Sequence, residues 1–184
     1  KLFKAGAHGV FDASGLTIGQ EYDTPDWSPD EAQREMEQAI TALGPEGFVG
    51  VYAANDGTGG GAIAAMKAAG VDPTTIPVTG QDAELAAIQR ILVGEQYMTV
   101  YKAIKPEAEA AAELAVSLAR GEDIPSTFEI SPVNNGFKDV DSILLTPVAV
   151  TKDNIADTIV ADGFWSVDEI CTADFADACA EAGL

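Results

Sequence analysis

The sequence predicts an α/β fold, a parallel sheet with helices on both faces, and three observations carry the prediction. Strand-like segments (FVGVYA, IPVTG, QYMTVYK) each lead into a helical pattern of roughly ten to fifteen residues, the alternation expected of β-α-β units. The helical patterns open on capping residues and close on glycines. The chain's 184 residues, 47% of them hydrophobic, suffice for one well-buried domain.

The elements follow in order. KLFKAGAHGVF is helix-like and no strand precedes it, so the alternation predicts a chain that begins partway through a larger protein. Ser28 is an N-cap, Pro29 suits the first helical position and Glu31 completes a capping box. Ala32, Met36, Ala39, Ile40 and Leu43 then recur on one helical face until Gly44-Pro45 stops it. VYAANDGTGGGAIAAMKAAG reads as strand, glycine-rich turn and helix. After IPVTG, Asp82 can cap a helix with apolar face Leu85, Ile88 and Ile91 or Leu92, ended by Gly94.

QYMTVYK is a strand by its β-branched and aromatic content, and Pro106 starts a helix that Gly121 closes. Asn135-Gly136 is a turn signal, and ILLTPVAV is a late strand whose Pro147 places it at a sheet edge or at a crossing between lobes. Thr151 caps the helical KDNIADTIVADG. Ser166 and Glu169 form a second capping box, and a short helix after Thr172 carries Cys179.

Thirty acidic against ten basic residues give a net charge of -20, a field that repels nucleic acid, anionic lipid and free nucleotides. A solvated acidic surface accounts for most of it. No apolar run approaches the ~20 residues needed to cross a bilayer. Cys171 and Cys179 are the only cysteines. Two thiols without a nearby histidine leave a zinc site half built, so they form either a local disulfide or two buried free thiols.

In open α/β sheets ligands sit at the carboxyl ends of the strands. The residues leaving the strands here are Asn55-Asp56, Gln81-Asp82 and Tyr101-Lys102. The turn NDGTGGGAIAA has no lysine for a Walker loop, and Asp56 would repel a pyrophosphate at a dinucleotide fingerprint. Gly59 to Gly61 read instead as small residues that let the helix start pack against the sheet. A carboxylate, amide and lysine set suits a neutral polyol, with an aromatic face covering the C–H side of a sugar ring. Trp27 is the candidate aromatic, with a hydrophobic-staple role at the helix entry as the alternative.

Catalysis has little support. His8, the only histidine, falls in the helix-like opening, and there is no Gly-x-Ser-x-Gly elbow. Asp56 and Asp82 can be drawn as a carboxylate pair for glycoside hydrolysis, and nothing else in the chain supports that pairing.

YAANDGTGGGAIAAMKAAG, VTGQDAELAAIQRILVGEQYMTVYK, and NNGFKDV followed by ILLTPVAVTKDNIADTIVADGF resemble the carboxyl-terminal half of the D-xylose-binding proteins of bacterial ABC importers. The likeness is colinear from KLFKAG to Phe164. These are periplasmic sugar-binding proteins of ribose-binding type, with two α/β lobes joined by three crossings. The resemblance implies one lobe of that two-lobed type I periplasmic-binding-protein fold. Residues 1–101 and 147–184 would form the carboxyl-terminal sugar-binding lobe without its first strand. Residues 102–146 would form a crossing segment, helix and strand of the other lobe.

By resemblance, Asn55, Asp82 and Lys102 match positions that hydrogen-bond the sugar and Trp27 matches the aromatic packed on it, with Asp56 and Gln81 as weaker neighbours. Lys102 also falls at a lobe crossing. The implied partners are a monosaccharide, a membrane permease and the amino-terminal half, which has no counterpart in this chain. The implied setting is extracytoplasmic, periplasmic or tethered at the cell surface, which favours a Cys171–Cys179 disulfide. No catalytic residue, cofactor or metal is implied. A sugar-sensing domain of a transcription regulator is the alternative, and a glycoside-acting enzyme a further one. Two departures stand out: FDASGLTIGQ is shorter than the family pattern, and the tail after Trp165 extends beyond it.

Overall fold

Helix α1 (Leu2–Ser14) opens the structure, a computed structural model that describes residues 2–184. Its aromatic side chains are met edge-on from elsewhere: Phe3 by Trp27 at 5.6 Å and Phe11 by Tyr52 at 5.9 Å between ring centroids. Lys4 pairs with Glu21 at 2.6 Å and His8 with Glu21 at 2.5 Å. These pairs are solvent-exposed, so they add little stability.

Helix α2 (Pro29–Leu43) starts where its local sequence demands. The Ser28 hydroxyl accepts the Glu31 N–H at 3.3 Å, and Pro29 occupies the first turn. Only half of the expected capping box forms, because the Glu31 carboxylate turns to Arg34, three residues on. Helix α3 (Asp56–Ala68) packs along α2. Met36, Ala39 and Ile40 from α2 and Ala62, Ile63, Ala65 and Met66 from α3 build the core, with Val71 and Val78.

The glycines of α3 permit this packing. A Cβ at position 59 would lie 3.1 Å from the Thr79 carbonyl, and one on Gly61 would overlap the Pro29 carbonyl. Gly61→Ala therefore forces the start of α2 away from α3. We expect it to lower unfolding free energy by about 1–3 kcal/mol, the usual cost of overpacking, as read by denaturant titration.

The parallel sheet is present but sparsely bonded. Val51 pairs in parallel with Val78, through Val51 N–H to the Pro77 carbonyl at 2.9 Å and Thr79 N–H to the Val51 carbonyl at 3.0 Å. Gln81 pairs in parallel with Val100, through Val100 N–H to the Gly80 carbonyl and Asp82 N–H to the Val100 carbonyl, both at 3.0 Å. FVGVYA and IPVTG are thus single bridges rather than the full strands expected. Pro77 has no N–H to give, and the Thr79 hydroxyl accepts from Ala53 N–H at 3.1 Å and donates to the Ala53 carbonyl at 3.0 Å. That side chain takes over the groups a neighbouring backbone would have bonded.

Helix α4 (Leu85–Leu92) buries Ala87, Ile88, Ile91 and Leu92. Asp82 does not cap it; Glu84 stands at the N-cap. Strand β1 (Thr99–Tyr101) follows, at the centre of the expected QYMTVYK.

The chain divides into two units, one running to Tyr101 and resuming over Ala149–Leu184, the other Lys102–Val148. The second contains helix α5 (Ile104–Arg120), which starts two residues before Pro106 and ends at Gly121 in the left-handed conformation. It also contains an antiparallel hairpin of β2 (Ser131–Asn134) and β3 (Asp139–Ser142) around Asn135-Gly136. Asn135 Oδ1 accepts from the Phe137 and Lys138 N–H groups, both at 2.9 Å, which closes the turn. In this unit Ile104, Leu118, Phe137 and Leu144 are exposed.

Of ILLTPVAV only β4 (Val148–Val150) is a strand, paired with β1. KDNIADTIVADG is not the α-helix expected. A 3₁₀ turn over Lys152–Asn154 leads into a π-helical turn over Ala156–Val160, with Val160, Ala161 and Phe164 N–H groups each bonding the carbonyl five residues back. The Thr158 hydroxyl donates to the Asn154 carbonyl at 2.6 Å and occupies an acceptor of the α pattern.

Helix α6 (Val167–Ile170) carries the expected Ser166/Glu169 capping box. Helix α7 (Ala176–Ala182) carries Cys179. Cys171 and Cys179 form a disulfide, with Cα atoms 5.9 Å apart, which decides between the two alternatives the spacing left open.

Candidate functional site

The carboxyl ends of the two parallel bridges bring the Asn55 and Asp82 segments together. Asp56 N–H donates to the Gln81 carbonyl at 2.9 Å, joining the start of α3 to the loop 80–84. Asn55 is the N-cap of α3: its Oδ1 accepts from Thr58 N–H at 3.0 Å and from the Thr58 hydroxyl at 2.6 Å. With Oδ1 committed to the cap, the group Asn55 has left for a ligand is the Nδ2 donor.

Asp56 lies beneath this surface with no solvent exposure. Its Oδ2 accepts from Glu84 N–H and the Thr99 hydroxyl, both at 2.9 Å, and its Oδ1 from Gln96 Nε2 at 2.8 Å. Arg90 donates to the Asp56 carbonyl and to Gln96 Oε1, each at 3.0 Å. Burial raises the pKa of the Asp56 carboxyl, against the lowering effect of the bonds from Glu84, Gln96 and Thr99. Gly80 sits so close that a Cβ there would overlap this carboxylate. Asp56 thereby spends its acceptor capacity holding the loop.

That loop is held in an uncommon conformation. Asp82 has φ 100° and Ala83 φ 52°, backbone states that cost roughly 1–3 kcal/mol each in non-glycine residues. Three flanking groups hold them: Asp82 N–H bonds the Val100 carbonyl at 3.0 Å, Ala83 N–H bonds the Thr99 hydroxyl at 3.1 Å, and the Ala83 carbonyl accepts from Trp165 Nε1 at 2.8 Å. Asp82 is an exposed residue of this loop. This positive φ also explains why Asp82 cannot cap α4, and strain retained by such over-determination is a mark of functional loops. Gln81, half-buried, contributes its carbonyl to Asp56.

Trp27 closes a 3₁₀ turn, Pro25–Trp27, directly before the Ser28 cap of α2. It has φ 56° and follows Asp26 at φ 53°; the residue is 47% exposed and its ring meets Phe3 edge-on. Two residues on, Pro29 lies 3.4 Å from where a Cβ on Gly57 would stand, so the start of α2 adjoins the Asn55 turn. Lys102 directly follows β1 as the first residue of the second unit and is exposed. His8 stands on α1, its pKa raised chiefly by the bond to Glu21. Among the described residues no group of three or more His, Cys, Asp or Glu side chains could hold a metal ion.

The residues that fix this site from below, Gln96, Thr99 and Trp165, were not anticipated from sequence. For Trp165 the available signal was an aromatic pair, Phe164-Trp165, directly after the last helical stretch.

A periplasmic binding protein domain matches residues 1–123. The chain belongs to that family. Relatives within this family of periplasmic binding proteins include the D-xylose-binding periplasmic protein of Escherichia coli strain K12, 42% identical over 174 residues, 92% of this chain and 51% of that protein. The D-xylose-binding periplasmic protein of Haemophilus influenzae is 43% identical over 175 residues, again 92% of this chain and 51% of that protein. The chain therefore spans about half the length of these curated relatives.

Among solved structures, a carbohydrate transporter solute-binding protein from Chloroflexus aurantiacus, in complex with D-glucose, superposes with a TM-score of 0.66 at 33% identity. It covers 78% of this chain, which spans 42% of it. The fold is that of an α/β lobe of a type I periplasmic binding protein.

Proposed function

We propose that this chain is the carboxyl-terminal sugar-binding part of an extracytoplasmic solute-binding protein, which captures D-xylose between two lobes and presents it to the permease of an ABC importer. The observation that carries the reading is the strained, clamped loop bearing Asp82, which the bond from Asp56 N–H to the Gln81 carbonyl joins to the segment of Asn55 at the carboxyl ends of the parallel bridges. Its support on substrate is the identity of 42% and 43% to D-xylose-binding periplasmic proteins.

The chemistry is that of polyol recognition. The Asp82 carboxylate accepts from vicinal hydroxyls, the Asn55 amide donates, Lys102 donates to a ring or anomeric oxygen, and Trp27 covers the C–H face of the sugar. Asp56 serves by holding the loop, and Gln81 by joining it to α3. Contacts from both lobes favour the closed state, which the permease recognises. The sugar leaves unchanged, because the protein binds it without turnover.

Titration calorimetry of the full-length protein with D-xylose, ribose, glucose and galactose tests this. A binding isotherm with D-xylose tighter than with the others is expected. Silence with D-xylose and a clear isotherm with another sugar would overturn the ligand assignment.

A further inference from the structure

The tail beyond Phe164 takes no part in the sugar chemistry above, yet it reaches the loop that carries Asp82. Phe164 packs on Tyr101, ring centroids 5.1 Å apart, and Trp165 packs edge-on against Phe164 at 5.4 Å. Tyr101 is buried, so this aromatic pair rests on a fixed base. From there the indole Nε1–H donates to the Ala83 carbonyl at 2.8 Å, one residue beyond Asp82.

The tail is itself anchored. Gln89 of α4 donates to the Ile170 carbonyl at 3.2 Å, Ile170 and Cys179 are buried, and the Cys171–Cys179 disulfide closes the segment behind them. A backbone carbonyl in a loop with two consecutive positive-φ residues would satisfy itself more cheaply by relaxing toward ordinary dihedrals and water. A donor fixed from outside the loop removes that route.

We propose that Trp165 is a positioning residue for Asp82: the disulfide-closed tail delivers an indole N–H that holds the loop in its strained conformation. Ligand affinity is thereby set in part by a residue that does not touch the ligand. The consequence for affinity rests on the sugar-binding reading; the brace itself does not.

Trp165→Phe keeps an aromatic ring against Phe164 and removes the donor. In the full-length protein without sugar, amide hydrogen exchange at Asp82, Ala83 and Glu84 should accelerate while the amides of α3 stay protected. A general loss of structure would accelerate both sets and would overturn the proposal, as would unchanged exchange at 82–84. With D-xylose, Trp165→Phe should weaken binding roughly 3- to 10-fold, the scale of one neutral hydrogen bond. In an Asp82→Ala background the same substitution should cost nothing further. An equal loss in both backgrounds means that Trp165 does not act through Asp82. Faster exchange at 82–84, with affinity indifferent to Asp82→Ala, would remove Asp82 from the sugar site and leave the brace standing.

Discussion

Replacing Asp82 by alanine should weaken D-xylose binding by the full-length protein by about 2–4 kcal/mol, roughly 30- to 1000-fold, the scale for losing hydrogen bonds to a charged group in a polar site. Calorimetry reads the change directly, and affinity within twofold of the parent would remove Asp82 from the site. Asp82→Asn, which keeps the shape and loses the charge, should fall between. The backbone supplies an independent check. Residue 82 has φ 100°, a conformation glycine adopts freely and alanine does not. Asp82→Gly should therefore unfold about 1 kcal/mol or more later than Asp82→Ala while binding sugar no better. Equal stability of the two variants would mean that the loop is not strained.

Asp56→Ala should be the most damaging single change to the fold, lowering unfolding free energy by about 3–5 kcal/mol in denaturant titration. It leaves the Glu84 N–H, the Thr99 hydroxyl and the Gln96 amide without their shared acceptor in a buried position. A loss under about 1 kcal/mol would mean that these donors find other partners.

The same carboxylate has a signature in pH. Its folded pKa is raised by burial, so the folded state binds the proton more readily than the unfolded chain. Stability from this group therefore falls as pH rises from the ordinary carboxylate range through the raised value, and recovers as pH falls back. Glu21, Asp72 and Glu169 are shifted the other way and oppose this in a simple pH scan. The difference between the parent and Asp56→Asn cancels those common terms; Glu84, whose pKa is raised by burial and by the Asp56 charge, does not cancel and moves the difference in the same direction as Asp56. Across that window the parent should gain stability relative to Asp56→Asn as pH is lowered. A difference that stays flat, or moves against the parent, contradicts the raised pKa.

What sequence made legible was what local physics decides. Helix α2 follows from Ser28, Pro29 and a single apolar face, and the Ser166/Glu169 box forms as read. The glycines of α3 read as residues that let the helix start pack against the sheet; Gly59 does so at the Thr79 carbonyl, while Gly61 makes room for the start of α2 at Pro29. The strand ends pointed to Asn55 and Asp82, whose segments the structure joins through Asp56. Asp56 itself illustrates the boundary. Its acidity was visible, but its partners Glu84, Gln96 and Thr99 lie 28, 40 and 43 residues away, so its task as the clamp of the loop appears only in three dimensions.

The same limit explains the thinned sheet, where the Thr79 hydroxyl serves Ala53 from 26 residues away, and the brace from Trp165, which is 82 residues from Ala83. Aspartate before a helical pattern favours a cap, which is the role the sequence predicts for Asp82. Its positive φ, imposed by bonds to Val100, Thr99 and Trp165 on either side, has no signature in a non-glycine residue.

The proposed position of the sugar is the place where the loop 80–84 meets the start of α3. A crystal structure of the full-length protein with D-xylose tests it most directly. The Asp82 carboxylate and Asn55 Nδ2 should each lie within about 2.7–3.2 Å of a sugar oxygen, with Asp82 still at positive φ and Asp56 out of contact with the ligand. A sugar bound elsewhere, or bound there without either residue, would mean that Asp82 and Asn55 do not form the sugar site.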